Sequence, residues 1–231
     1  MDDITRPVPT LDPGLEHKVR VWDAPTRLFH WSIVLLVAFS YASARTGRID
    51  WHFLSGYAIL ALVLFRIAWG IVGSDTARFA HFVRTPRAAL RHLARFGRGR
   101  GDPHAGHNPA GALMVLALIG LLLAQAVSGL FSSDGLIVEG PLARFMDGAT
   151  SAAATAWHAF LFDLILVAVG LHVAAVLAYA LVARRNLVRP MIVGWARLPA
   201  SVPAPRMASP LLAAALLAAS GAVVCALASL G

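Results

Sequence analysis

The chain has 231 residues, of which 58% are hydrophobic and 14% charged. A soluble domain carries about 25% charged residues, so the apolar surplus points to a bilayer rather than to an unusually large aqueous core. The single cysteine, Cys225, excludes an intramolecular disulfide and any covalent C-x-x-C-H cofactor attachment. A net charge of +8 would fit nucleic-acid binding in a soluble protein, but the distribution of that charge gives another reading.

Residues 1–27 are polar and carry no cleavable signal pattern, so they read as a cytoplasmic N-terminal tail ahead of an uncleaved anchor. A transmembrane helix needs roughly 20 apolar residues. Five segments qualify, at 28–44, 52–73, 109–131, 155–182 and 208–230. Asp23, Pro25 and Thr26 offer start signals for the first. Residues 28–195 read as one four-helix domain and 196–207 as a Pro-rich linker. Residues 208–231 read as an appended fifth helix of nearly featureless Ala and Leu, outside the functional bundle. The fold class is thus all-α, within a membrane.

Orientation follows from the loops. The tail holds Arg6, Lys18, Arg20 and Arg27, the 74–108 connection seven arginines including Arg98 and Arg100, and the 183–207 connection five more. The opposite side holds only Arg45, Arg48 and Arg144, and Arg66 lies within a span. This asymmetry predicts a multi-pass membrane protein, N-terminus cytoplasmic and C-terminus outside, with lipid rather than nucleic acid as its polyanion. Thr85-Pro86 reads as a helix start, and Arg87, Arg91 and Arg95 recur opposite Leu90 and Leu93. That pattern fits a short amphipathic helix on an anionic leaflet, or a solvated basic loop.

Four of the nine histidines fall in spans: His30 in the first, His52 at the start of the second, His158 and His172 in the fourth. The others (His17, His81, His92, His104, His107) fall in the tail or the 74–108 connection. An ionisable residue within a span is costly and marks a functional hypothesis. His158 and His172 are fourteen residues apart, which on a helix returns them to nearly one face about 21 Å apart. Alternating crossings put His52 level with His158 toward the outside, and His30 level with His172 toward the cytoplasm. Two depth-matched imidazole pairs suit two bis-histidine haems, which have no open position for oxygen and therefore carry electrons. A pair per level is too few for a closed zinc site. The competing reading of each histidine is a helix–helix hydrogen bond. Gly56, Gly120, Gly129 and Gly170 offer small surfaces beside a porphyrin. Arg66, fourteen residues after His52, and Arg27 are candidate partners for haem propionates, or else snorkel to headgroups. Asp163 points away from His158 and reads as a helix-contact or proton-linked group, and Gln125 as a buried hydrogen-bonding residue.

The stretch Val21-Trp22-Asp23-Ala24-Pro25-Thr26-Arg27-Leu28-Phe29-His30-Trp31 resembles the opening of bacterial cytochrome b561. It is also similar to the di-haem cytochrome b subunits of nickel–iron hydrogenases and formate dehydrogenases. Trp51-His52, Phe65-Arg66, Trp69-Gly70, Gly106-His107-Asn108-Pro109 and Asn186-Leu187-Val188-Arg189-Pro190-Met191 match as well, so the likeness covers about 19–195. The resemblance implies a four-helix transmembrane bundle enclosing two haem b groups, with ligands at His30, His52, His158 and His172. It also implies a quinone near the cytoplasmic-side haem, beside Asn108 and Gly111, with His107 a weaker candidate. Pro109 begins the third span without an unpaired N–H, which would free the Asn108 amide for a quinone carbonyl; the alternative is a simple helix cap.

The functional expectation is a di-haem b-type cytochrome carrying electrons between the quinone pool and a redox partner. In one version it stands alone, taking electrons from a small donor such as superoxide. In another it is the membrane subunit of a larger complex, working with a periplasmic c-type cytochrome or a dehydrogenase subunit, and a homodimer is compatible with both. The alternative from another class is a non-redox membrane protein that uses its histidines for metal transport or packing.

Overall fold

The computed structural model describes residues 16–96 and 105–231; Arg6, Arg98, Arg100 and His104 lie outside them. In chain order come strand β1 (Glu16–Arg20), helices α1 (Ala24–Arg45) and α2 (Ile49–Val72), short α3 (Phe79–Phe82) and α4 (Pro86–Ala94), then α5 (Pro109–Phe131), α6 (Gly148–Leu181), short α7 (Val188–Val193), strand β2 (Trp195–Pro199) and α8 (Pro210–Ala228). The helices α1, α2, α5, α6 and α8 are long and apolar enough to cross a membrane.

Capping residues set the boundaries. Asp23 Oδ1 accepts the Thr26 N–H at 2.7 Å, with Pro25 in the first turn, so α1 begins four residues before its apolar run. Asp147 caps α6 through the Thr150 N–H, which starts that helix at Gly148 rather than at 155. Its 34 residues reach about 51 Å, well beyond a hydrocarbon core of about 30 Å, and α6 therefore protrudes. Thr85 with Pro86 starts α4 as its sequence predicts, and Leu90 and Leu93 are exposed there.

Helix α2 is the centre of the bundle and buries two faces. Ile59 and Val63 pack with Ile119 and Leu122 of α5 and Ile165 of α6. Phe65 and Trp69 pack against Ala213 of α8, and Leu60 against Val224. The fifth helix is thus docked along α2. Side-chain packing of this kind is the means of helix association where lipid removes the hydrophobic driving force.

The helical frame carries one small sheet. Strands β1 and β2 pair antiparallel, Glu16 opposite Pro199 and Arg20 opposite Trp195, so part of the tail and part of the linker form a small sheet. The Val21 and Trp22 amides both donate to the Gly194 carbonyl, at 2.9 and 3.1 Å. Gly194 takes φ +85°, and a Cβ there would meet the Trp22 carbonyl at 2.9 Å, so only glycine closes this corner easily. The 74–78 loop joins the same end. Thr76 donates to the Val21 carbonyl at 2.7 Å, and Asp75 Oδ2 accepts the Arg206 N–H at 2.9 Å. The arginine-rich tail, loop and linker therefore meet at one end of the bundle, the basic end, and Arg45, Arg48 and Arg144 lie at the other.

Candidate metal centre

Helix α6 packs along α5 and stands back from α1 and α2. It reaches those two helices through side chains at three levels. Nearest the basic end, the His30 and His172 rings have centroids 6.4 Å apart, their planes at 57°. At the far end, the His52 and His158 centroids lie 6.0 Å apart with planes at 89°. Tyr41 and Phe162 stack between them at 5.0 Å. Ile165, seven residues from either histidine of α6, is 2% exposed in the apolar cluster with Val63 and Ile119. The four span histidines thus meet as two pairs, kept about 21 Å apart along α6 by hydrocarbon.

The far pair is held by neighbouring backbone. His52 Nδ1 lies 3.0 Å from the Ser40 main-chain oxygen of α1 and 3.0 Å from the Ser40 hydroxyl. His158 Nδ1 lies 2.9 Å from the Gln125 main-chain oxygen of α5 and 3.2 Å from Ser128 Oγ. A carbonyl only accepts, so the proton sits on Nδ1 and the Nε2 lone pair is left for another partner. At His158 that partner is the Gln125 side-chain amide, which donates to Nε2 at 3.1 Å. Gly129 makes room for this ring: a Cβ there would fall 2.9 Å from His158 Cε1. At Gly56, Gly120 and Gly170 an added Cβ would meet nothing within 4 Å. The space at Gly129 is therefore filled by an imidazole. In the pair nearer the basic end, His30 Nδ1 is buried and has no hydrogen-bond partner among the described residues.

Two imidazoles sharing one metal ion through bonds of about 2 Å each would have ring centroids up to about 6 Å apart. Both pairs match that spacing. Among the described residues no three His, Cys, Asp or Glu side chains gather as one ligand set. Two imidazoles brought this close at each level suit a metal whose remaining positions come from a planar ligand.

Arg66 and Arg27 have definite partners. Arg66 is 2% exposed; it donates to the Ala77 carbonyl at 3.2 Å and lies 5.2 Å from the Phe79 ring centre. Arg27 donates to the Ile192 carbonyl. Arg66 does not snorkel, and both side chains fasten the basic end. Asp163 is exposed on α6, about 140° around the helix from His158. His107 is enclosed between the Trp22 and Phe82 rings, 4.7 Å from each centroid.

The Asn108 amide is not left free. Its Oδ1 accepts the Gly111 N–H at 2.8 Å, capping α5, and its Nδ2 donates to the Tyr179 hydroxyl at 2.8 Å. That hydroxyl also lies 2.7 Å from His92 Nε2 on α4. The cap and a polar chain Asn108–Tyr179–His92 therefore coexist where α4, α5 and α6 meet. Tyr179 and His92, like Ser40, Ser128, Tyr41 and Phe162, carry no motif that singles them out in the sequence.

A family model described as prokaryotic cytochrome b561 matches residues 21–194, a segment that holds both histidine pairs and stops short of α8. A probable Ni/Fe-hydrogenase B-type cytochrome subunit from Azotobacter chroococcum mcd 1 is 29% identical over 211 residues, covering 77% of this chain and 88% of the relative. Its counterpart from Azotobacter vinelandii is 28% identical over 210 residues, with the same shares. No solved structure gives a significant match.

Proposed function

Because the chain belongs to the prokaryotic cytochrome b561 family, we propose that it is an integral membrane b-type cytochrome that carries electrons between two haem b groups. One group is held by His30 and His172, the other by His52 and His158. The observation that carries this reading is the pair of imidazoles brought together at each of two levels, 6.4 and 6.0 Å between centroids. When bound, a haem with two imidazole ligands supplies one-electron chemistry with no position for oxygen. The chain's residues do the rest. The Ser40 and Gln125 carbonyls hold the Nδ1 protons of His52 and His158, and the Gln125 amide, now on His158 Nε2, would have to yield that atom to a metal. Ile165 and its neighbours keep water out between the levels. Arg27 and Arg66 supply positive charge at the basic end, where propionates would need it.

The excess of Lys and Arg makes the basic end cytoplasmic, so His30–His172 is the inner pair and His52–His158 the outer. A quinone exchanging electrons with the inner haem would meet the Asn108–Tyr179–His92 chain beside Gly111, at the membrane edge. The hydrogenase subunits among the relatives favour a second reading, in which the chain serves as the membrane arm of a dehydrogenase complex. The outer loop offers such a partner a firm apolar tip. Asp134 Oδ1 accepts three backbone N–H groups at 2.9 Å, which holds its carboxyl below the usual range. The tip leaves Leu136 and Ile137 87% and 89% exposed.

A reduced-minus-oxidised absorbance spectrum of the purified chain tests the proposal. The expected result is the band pattern of low-spin b haem; a featureless difference spectrum from cells supplied with haem would overturn it.

A further inference from the structure

The outer histidines are held by the same device twice. On α1 the Ser40 carbonyl faces His52 Nδ1 at 3.0 Å and also accepts the Ser43 hydroxyl at 2.9 Å. On α5 the Gln125 carbonyl faces His158 Nδ1 at 2.9 Å and accepts the Ser128 hydroxyl at 2.9 Å. In each case a helical carbonyl, with a serine three residues on, takes the ring N–H of a histidine from the adjoining helix. Helix α5 carries no paired histidine of its own, yet it contributes this carbonyl, the Ser128 hydroxyl and the clearance at Gly129. A side chain at 129 would press on the His158 ring at 2.9 Å from Cε1 and 3.2 Å from Nδ1. The inner pair is built differently, since His30 Nδ1 is buried with no acceptor among the described residues.

Resting on the haem reading above, we infer that Ser40–Ser43 and Gln125–Ser128–Gly129 are positioning elements that fix His52 and His158 as Nε2 ligands and make the outer site the harder of the two to reduce. A ligating imidazole whose second N–H is held by a carbonyl is a more basic ligand. A more basic ligand stabilises the more highly charged ferric state, and axial ligation and its hydrogen bonding are among the levers a protein has on haem potential. His30 lacks that support. The surrounding charge acts in the same sense, because the inner site lies at the end that collects most of the chain's 20 Lys and Arg residues. A positive field favours the added electron there. An electron shared between the two sites therefore resides at the inner one.

Equilibrium redox titration of the full chain, carrying both haems, tests the inference. His30→Ala should retain the lower-potential component of the wild type, and His158→Ala the higher. Gly129→Ala, which pushes the His158 ring off its carbonyl, should raise or abolish the lower component and leave the higher one in place. Ser43→Ala removes only a hydroxyl that shares the Ser40 carbonyl, so it keeps the test open if Gly129→Ala does not accumulate; it should move the lower component alone. Reversed assignment in the histidine variants overturns the inference, as does movement of the higher component, or of neither, in the other two. Two haems in the reverse order refute this inference alone, whereas a chain that binds no haem refutes the functional reading with it.

Discussion

His158 Nδ1 lies 2.9 Å from the main-chain oxygen of Gln125, on a bundle helix that carries no paired histidine. The ring so held lies 6.0 Å from that of His52 on α2, centroid to centroid, and the two residues form one unit. Replacing either histidine by alanine should therefore remove the same spectral component, while His30→Ala and His172→Ala should remove the other. Difference spectra of the four single variants check this. Loss of one shared component in His52→Ala and His172→Ala would break the pairing.

The ring planes differ between the pairs, 89° for His52–His158 and 57° for His30–His172. Perpendicular axial imidazoles leave the two iron orbitals that overlap their π systems nearly equal in energy, and the ferric resonance becomes strongly anisotropic. Electron paramagnetic resonance of the oxidised protein should show two low-spin species. The more anisotropic one should disappear in His52→Ala and persist in His30→Ala. Two indistinguishable signals would contradict the geometry.

Asn108 serves two structures at once, the α5 cap and the link to Tyr179, and two variants separate them. Asn108→Ala should cost about 1 kcal/mol through the cap and also slow reduction of the inner haem by a quinol analogue. Tyr179→Phe leaves the cap intact and removes the hydroxyl that His92 and Asn108 share, so it should slow the same step at nearly unchanged thermal stability. Stopped-flow reduction beside a thermal melt makes the measurement. Normal kinetics in Tyr179→Phe would move the quinone elsewhere.

Asp75 ties the linker before α8 to the loop after α2. The Arg206 backbone N–H, first, and then the Arg78 side chain hold its carboxyl below the usual carboxylate range. A depressed pKa contributes stability that is complete above the unfolded value, about 3.9, and is lost as pH falls through the lower native value. The group is partly exposed, so the contribution is at most about 1 kcal/mol. Limited proteolysis of the 199–208 linker should accelerate below about pH 4 in the wild type. Asp75→Asn should cleave at the faster rate at every pH; an unchanged pH response in that variant would remove Asp75 from the account.

What could be read from the sequence was what local spacing encodes. Runs of apolar residues give the spans, and a fourteen-residue interval gives His158 and His172 a common face. Asp23, Pro25 and Thr26 mark the start of α1 because a cap is a contact between near neighbours. The pairing of Glu16 with Pro199 joins residues 183 positions apart in two short polar stretches, and nothing in either stretch announces the other. The docking of α8 was hidden for a different reason, since small residues on a helix leave no periodic apolar stripe. The support given to His52 and His158 comes from main-chain carbonyls, which every residue possesses and no motif records. Asn108 was legible as a possible cap, but the use of its other amide atom depended on Tyr179, 71 residues away.

The central claim is that this chain holds two haems, and counting them tests it most directly. A pyridine haemochrome assay on protein purified from haem-supplied cells, referred to chain concentration by amino-acid analysis, gives both the type and the number. The account predicts non-covalent b haem at two per chain, falling to one in His158→Ala and in His30→Ala. One haem or none in the unaltered chain would contradict it.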